Sequence, residues 1–219
     1  GTVYKGNDPA VRYTGRTLVS SDGSVAFDWV GTYLETRFTG GKLSVKVSET
    51  GTSYYNVFVD GKLHKVVKVC GTDTLIHLVS GIDKRIHSLK IQKRSEGEFG
   101  KTTVHQFVLS GSGRLAEELA VRTRHIEFIG NSLTCGYGTD GKHRDEPFLV
   151  ETENCNLTFA SMVARYYDAD YTLIAHSGRG AARNYGDSVR VSKVTMKDRM
   201  LNTFDEDLTH KWNFKEYRP

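Results

Sequence analysis

The chain has 219 residues, of which 38% are hydrophobic, 30 are lysine or arginine and 26 are aspartate or glutamate, for a formal net charge of +4. A chain of this length and apolar content forms one large domain or two small ones, which excludes extensive disorder. Basic and acidic residues are interspersed, and no apolar stretch approaches the ~20 residues that span a bilayer, so the sequence predicts neither a nucleic-acid nor a membrane partner.

The segment from Val25 to Ser110 predicts short β-strands separated by Gly, Asp and Ser turns. Leu43, Val45 and Val47 alternate with polar residues, which is the period of two that buries one face of a strand. Asp60-Gly61 predicts a hairpin turn. Further strands are predicted at 33–38, 54–60, 63–69, 74–79, 87–93 and 104–109. Seven or eight strands in this length of chain predict a two-sheet sandwich.

The pattern changes after Gly111-Ser112-Gly113. We predict a β-sandwich domain over 1–112, a linker over 113–124 and a second domain over 125–219. This second part predicts, in order, a strand at 125–129, a long charged loop, a helix near 154–167 and a strand at 171–176. That order is typical of an α/β domain.

The predicted helix has apolar residues at three- and four-residue spacing, which indicates one buried stripe. Its members are Leu157, Ala160, Val163, Ala164 and Tyr167. Thr152 or Asn154 is the candidate residue to cap the start of the helix.

A serine among glycines follows the first strand of the second part. The run from Ile126 to Gly138 reads IEFIGNSLTCGYG, so apolar residues lead directly to Ser132 on a tight turn. Such a turn presents the serine Oγ to solvent, beside backbone N–H groups that can stabilise an oxyanion. We therefore predict Ser132 as a nucleophile whose own N–H is one oxyanion donor.

The block GNSLT at 130–134 resembles the first signature block of SGNH, or GDSL-type, hydrolases, with Asn131 where that family usually has aspartate. Together with IAHSGRG at 174–180 and RNY at 183–185, it resembles carbohydrate esterase family two, whose members deacetylate plant polysaccharides. Three blocks in the first half carry the same resemblance: YTGR at 13–16, FDWVGT at 27–32 and YYNVFVDG at 54–61.

This resemblance implies a two-domain fold, in which a jelly-roll-like β-sandwich precedes an α/β/α, flavodoxin-like SGNH hydrolase domain. It implies an acetylated polysaccharide or oligosaccharide as substrate, which suits the small net charge of the chain. It also implies a secreted, periplasmic or cell-surface location and no cofactor.

The resemblance implies roles for further residues, each with an alternative. Gly178, after the second strand, donates a second N–H to the oxyanion, or it simply permits a turn. Asn131 supports the site by bonding nearby backbone, or it is a neutral replacement. Arg183, Asn184 and Tyr185 bind substrate, or they form a solvated loop.

An SGNH domain also needs a third strand with an oxyanion-hole asparagine, and a late histidine. The last residues, from Trp212 to Pro219, resemble the stretch just before that strand. We therefore expect this chain to contain only an incomplete, amino-terminal portion of the hydrolase domain, with the catalytic histidine and the asparagine outside it, on a missing remainder or on a second polypeptide. We also expect the second strand to present an unpaired edge. Structural or solvated roles are predicted for His125, His143, His176 and His210.

Cys70, Cys135 and Cys155 have spacings unlike a zinc pattern and predict mostly free, buried thiols, with a Cys135–Cys155 disulfide left open. The mixed charges at 141–147 predict solvated surface instead of a metal or phosphate site. The carboxylates at 205–207 beside His210 are expected to diverge on a helix. We predict no metal.

Two functions remain in competition. The first is a serine O-acetyl esterase that removes acetyl groups from xylan, mannan or a related plant cell-wall polysaccharide through an acetyl-enzyme, with 6-O-acetyl hexoses implied by the resemblance. The alternative is a carbohydrate-binding protein with a vestigial SGNH domain. A third hypothesis is a lipase-like or thioester hydrolase, but the accessory sandwich argues against it.

Overall fold

The computed structural model describes residues 1–117 and 122–216. Most of the regular secondary structure is β-sheet, in two six-stranded antiparallel sheets that precede a smaller part with two parallel strands. The first sheet contains β1 (Thr2–Lys5), β3 (Leu18–Val19), β4 (Val25–Phe27), β6 (Leu43–Glu49), β9 (Thr74–Val79) and β11 (Thr102–Leu109). The second contains β2 (Arg12–Thr14), β5 (Tyr33–Phe38), β7 (Thr52–Val59), β8 (Lys62–Cys70), β10 (His87–Lys93) and β12 (Leu115–Ala116).

The two sheets pack face to face as a sandwich. The first sheet has the order β3-β4-β11-β6-β9, with β1 also on β11, and the second has the order β12-β5-β10-β7-β8, with β2 also on β5. Alternate residues of both sheets fill one core, in which Phe27 and Phe107 of the first sheet meet Leu34 and Val57 of the second. The sandwich predicted from the alternating pattern is therefore present.

The predicted strands from Tyr33 onward lie within two residues of observed ones. The predicted hairpin is present too, because β7 and β8 pair across Asp60-Gly61, where both residues have positive φ, 51° and 78°. The predicted linker begins differently, since Leu115–Ala116 pairs with Phe38 and Arg37 of β5. The first residues after 112 therefore still belong to the sandwich.

The second part contains two parallel strands, β13 (His125–Gly130) and β14 (Asp170–Ala175), in register from His125 opposite Asp170. Its helices are α1 (Ser132–Cys135), α2 (Phe159–Tyr166) and α3 (Met196–Arg199). Single 3₁₀ turns occupy Gly97–Phe99, Val150–Thr152 and Cys155–Leu157. The predicted succession of strand, loop, helix and strand is thus observed.

The predicted helix is shorter than expected because it divides at Thr158. Asn154 caps the 3₁₀ turn at 155–157 by accepting from the Asn156 N–H, and α2 starts only after Thr158. Its buried face is Ala160, Ser161 and Ala164, three small residues that let the helix approach the strands closely. The predicted stripe is therefore wrong at its large members: Leu157, Val163 and Tyr167 are 42%, 38% and 50% exposed.

Among the described strands β14 pairs only with β13, so its other edge lacks a strand partner as expected, but that edge is not open to solvent. Every residue of β14 is buried, and the Tyr171 N–H donates to the Tyr33 hydroxyl of the sandwich at 3.3 Å. The more exposed strand is β13, where Ile129 is 50% exposed. The sandwich, which the sequence places in a separate domain, covers the side of β14 that lies away from β13.

Residues of both parts share the junction. Val30 and Tyr33 of the sandwich lie in one apolar cluster with Tyr171 and Leu173 of β14. Polar contacts surround that cluster: Gln92 Nε2 donates to the Tyr171 hydroxyl at 2.5 Å, and the Tyr33 hydroxyl donates to Asp170 at 2.6 Å. The segment after α3 returns to the sandwich, where the buried Arg16 guanidinium donates to the Met200 and Asn202 carbonyls.

Gly31 of the sandwich lies close to Leu173 of β14, and this contact yields a stability prediction. Its φ is +79°, and a Cβ at this position would lie 2.7 Å from Leu173 Cδ1. We expect Gly31→Ala to lower the free energy of unfolding by about 1 to 3 kcal/mol more than Gly81→Ala, because it adds overpacking to backbone strain. Gly81 has a similar φ of +73° with no atom within 4 Å of its Cβ position. Equal denaturant midpoints for the two variants would contradict this.

Cys70, Cys135 and Cys155 are free, so no disulfide joins Cys135 to Cys155. Both of these residues are buried, as predicted. Cys70 departs from the prediction, because it ends β8 in an exposed position. No helix within 1–117 and 122–216 combines the length and the apolar character that crossing a bilayer requires.

Candidate active site

Ser132 is the first residue of α1, directly beyond the end of β13. Asn131 has an extended backbone and caps the helix, since its Oδ1 accepts from the Leu133 N–H at 3.1 Å. This is the backbone contact predicted for Asn131. A Cβ on Gly130 would lie 2.1 Å from Thr134 Oγ1, so a glycine is required for the chain to turn this tightly. The result is a partly exposed serine on a fixed turn.

A cavity of about 630 Å³ lies over Ser132. The α1 turn forms one side with Asn131 and Ser132, and the loop after β14 forms another, which includes the predicted Gly178. Glu98, from the 3₁₀ turn at 97–99, brings the sandwich into the same wall. Three segments that are far apart in the sequence therefore meet around one hydroxyl.

The backbone N–H groups of Ser132 and Gly178, both in the cavity wall, are unpaired. Neither donates to any atom of the described residues, although their neighbours do. Gly178 has φ +75°, but a Cβ there would meet nothing nearer than Tyr185 Cβ at 3.9 Å. The backbone conformation therefore favours glycine here, although a side chain would have room.

The three residues considered for substrate binding separate into two groups. Arg183 and Tyr185 line the cavity, and Tyr185 is 92% exposed. Asn184 does not line it: its side chain is buried, accepts from the Gly180 N–H at 3.2 Å and donates to the Val194 carbonyl at 2.7 Å. Asn184 thus fixes the loop that carries the other two, which revises its expected role.

The histidine closest in sequence to this loop, His176, is buried behind the cavity wall. Its Nδ1 contacts Asp205 at 2.8 Å, and its Nε2 lies 3.6 Å from Glu98. Burial is the largest single influence and opposes its charged form, but the hydrogen bond to Asp205 and the charges of Asp205 and Glu96 together outweigh burial and raise the pKa of His176. No histidine of the described residues lines the cavity.

The other predicted histidines and acidic residues have local partners. His125 bonds Thr172, His143 is on the exposed charged loop, and His210 pairs with Asp207 at 2.5 Å. The expectation of a helix over 205–207 is wrong, because the chain forms bends there. Asp205 therefore turns inward to His176 while Asp207 stays outside.

Two groups of side chains come close enough to share a metal ion: Glu96, Glu98 and His176, and His176, Asp205 and Glu206. The ligand atoms of four of these residues already have protein partners: Glu96, His176, Asp205 and Glu206. Arg199 Nη1 donates to Asp205 at 3.0 Å, and Ser177 donates to Glu96. Since an arginine and hydrogen-bond donors already balance these carboxylates, we keep the prediction that the site uses no metal.

Glu96 and Glu153 form a buried carboxyl pair beneath the loop. The Glu96 N–H donates to Glu153 Oε1 at 2.5 Å. Burial, together with the hydrogen bond and charge of Glu96, raises the pKa of Glu153 to about 10. Burial would also raise the pKa of Glu96, but hydrogen bonds from Glu153 and Ser177 outweigh it and lower that pKa. Glu153 is thus the protonated partner at neutral pH. Asp28 is buried nearby, and burial with the charge of Asp205 raises its pKa to about 7.

This pair predicts how stability varies with pH. The ordinary pKa of glutamate is 4.5, so between that value and about 10 the folded protein keeps a proton on Glu153 that the unfolded chain releases. The stabilising contribution is complete below 4.5 and is lost as pH rises. Glu153→Gln cannot ionise and keeps an oxygen that can accept from the Glu96 N–H. We expect its melting temperature to fall less than that of the wild type between about pH 5 and about pH 9. Glu151→Gln, an exposed neighbour, serves as control and should follow the wild type.

Sequence reasoning missed Glu96, Glu98 and Ser177. Glu96 and Ser177 are 81 positions apart, and no local pattern marks a contact of that range. The one available signal was that two acidic residues, Glu96 and Glu98, surround a glycine directly after a predicted strand.

Comparison with known proteins finds carbohydrate esterases with a similar fold. The structure superposes with a TM-score of 0.88 on a family two carbohydrate esterase from Clostridium thermocellum solved in complex with cellohexaose, at 32% identity, covering 95% of this chain and 63% of that one. Residues 13–118 match the family model described as Carbohydrate esterase 2 N-terminal. These residues therefore form a carbohydrate esterase family two amino-terminal domain, and the identification made from the motifs is confirmed.

Curated relatives agree. The chain is 32% identical to "Cellulase/esterase CelE" of Acetivibrio thermocellus, covering 97% of this chain and 26% of that protein. It is 31% identical to an "Acetylxylan esterase / glucomannan deacetylase" of Cellvibrio japonicus, covering 92% of this chain and 56% of that protein. The chain thus spans 26% and 56% of the lengths of these two curated relatives.

Proposed function

We propose that this chain forms part of a serine O-acetyl esterase that removes acetyl groups from plant cell-wall polysaccharides. The observation that carries the proposal is the partly exposed Ser132 in a cavity where its own N–H and that of Gly178 are unpaired. The names of the relatives, which include acetylxylan esterase and glucomannan deacetylase, support xylan or mannan as the glycan. The proposal also includes the more specific expectation that the enzyme prefers 6-O-acetyl groups on hexoses.

In the proposed reaction, Ser132 Oγ attacks the acetyl carbonyl as a histidine takes the hydroxyl proton. The N–H groups of Ser132 and Gly178 bind the tetrahedral oxyanion. The sugar oxygen leaves with the proton held by the histidine, and water then releases acetate from the acetyl-enzyme. The catalytic histidine and a further oxyanion asparagine come from residues outside 1–219, on the same or a second polypeptide.

The same proposal covers the rest of the fold and the location. The part from β13 to α3 is the beginning of an α/β/α SGNH hydrolase domain, and the sandwich has jelly-roll topology. Glu98 supports the idea that the sandwich shapes the glycan cleft, because it lines the cavity from the sandwich side. The protein acts outside the cell or at its surface, where polysaccharide is met.

The test is acetate release from acetylated glucomannan and acetylated xylan by the full-length protein, with Ser132→Ala for comparison. Serine-dependent release from either glycan supports the esterase. Glycan binding without acetate release supports the alternative, a carbohydrate-binding protein with a vestigial hydrolase domain. The observation that favours this alternative is the exposure of two aromatic rings at the cavity, Tyr137 at 48% and Tyr185 at 92%.

A further inference from the structure

The loop that carries Gly178 is fastened to the sandwich through one side chain. Glu96 is fully buried in the turn after β10. Its carboxylate accepts both donors of Ser177, the N–H at 2.6 Å and the Oγ–H at 2.5 Å. Ser177 immediately precedes Gly178, so this contact is adjacent in the chain to the unpaired Gly178 N–H.

Glu96 is itself held at several points. Its N–H donates to Glu153, and its carbonyl accepts from the buried Lys93 Nζ at 3.1 Å and from the Phe99 N–H at 3.2 Å. A side chain fixed in this way behaves as a rigid acceptor. Since hydrogen bonds to an ionised carboxylate are about twice as strong as neutral ones, the two bonds from Ser177 hold that residue firmly.

Gly178 needs such support more than another residue would. It has φ +75° and no side chain to pack, so its backbone has the greatest conformational freedom of any residue type. Downstream, the Gly178 carbonyl accepts from the Tyr185 N–H at 2.8 Å. Upstream, Gly178 is restrained by the two hydrogen bonds that Ser177 donates to Glu96. Together these contacts fix the peptide whose N–H lies between Ser177 and Gly178.

We infer that Glu96 is a positioning residue of the reaction: the sandwich uses it to hold Ser177, and thereby to aim the Gly178 N–H into the cavity. This inference rests on the proposed function. It makes the sandwich a part of the catalytic apparatus, in addition to any role in binding glycan.

The test compares kcat and KM for acetate release by the full-length protein. In Glu96→Gln, one amide oxygen replaces two carboxylate oxygens, so Ser177 loses an acceptor and the N–H of Gly178 is released. We expect kcat to fall on the order of 10- to 100-fold with KM changed less than about 3-fold, below the full loss of an oxyanion donor. Ser177→Ala keeps the backbone bond and should lower kcat less, by roughly 3- to 10-fold.

Glu35→Gln is the matched control, because Glu35 is also a buried sandwich glutamate near the junction, paired with Arg12 at 2.9 Å and Arg122 at 3.2 Å. It should lower the melting temperature while kcat per folded molecule stays unchanged.

The inference is overturned if the wild type releases acetate through Ser132 and both Glu96→Gln and Ser177→Ala keep its kcat. If Glu96→Gln does not fold, Ser177→Ala decides. Acetate release that is absent from the wild type or independent of Ser132 would instead refute the proposed function, and the inference with it.

Discussion

Ser132→Ala is expected to lower acetate release from acetylated glucomannan or xylan by on the order of 10⁴-fold or more, because no acetyl-enzyme can form without the Oγ nucleophile. Glycan affinity should stay within about 2-fold of the wild type, since a partly exposed hydroxyl contributes little to binding an extended sugar chain. Initial rates of acetate release and titration calorimetry with a deacetylated oligosaccharide measure the two quantities on the same samples.

The control is Ser112→Ala, which changes an exposed serine outside the cavity and should leave both quantities as they are. Retention of acetate release by Ser132→Ala would show that Oγ is not the nucleophile. Intact binding by a wild type that releases no acetate would favour the carbohydrate-binding alternative.

Gly178→Ala is expected to lower kcat by about 10²- to 10³-fold, equivalent to about 3 to 4 kcal/mol in the barrier. The added methyl group has room, with its nearest neighbour at 3.9 Å, but φ +75° is strained for alanine. The backbone relieves that strain by rotating, and the N–H then no longer points at the oxyanion.

Gly186→Ala separates this effect from strain alone. Gly186 belongs to the same loop, has φ +81° and has no atom within 4 Å of its Cβ position, and it is exposed outside the cavity. It should cost similar stability, measured by thermal unfolding, and little activity. Equal kcat losses in the two variants would mean that general loosening of the loop, and not the Gly178 N–H, explains the result.

Some features followed from the sequence because their causes are local. The alternation around Leu43 to Val47 buries one face of a strand wherever that strand lies, and Asp60-Gly61 supplies the positive φ that a tight hairpin needs. The turn at Ser132 is likewise set by its neighbours, Gly130 and Asn131. Strands of two to four residues, such as β3 and β12, are too short for alternation to show and were missed.

The sequence alone thus determined the sandwich, the family and the position of the candidate nucleophile, since each depends on residues adjacent in the chain. Tertiary structure decided which face of α2 is buried, because the small residues Ala160 and Ala164, and not the larger apolar ones, fit against the strands. It also decided that Asn184 fixes its loop and that Glu98 and Glu96 join the site. Those outcomes depend on packing the sandwich against β14, which brings together residues about 80 positions apart, and no periodicity within one segment encodes such a contact.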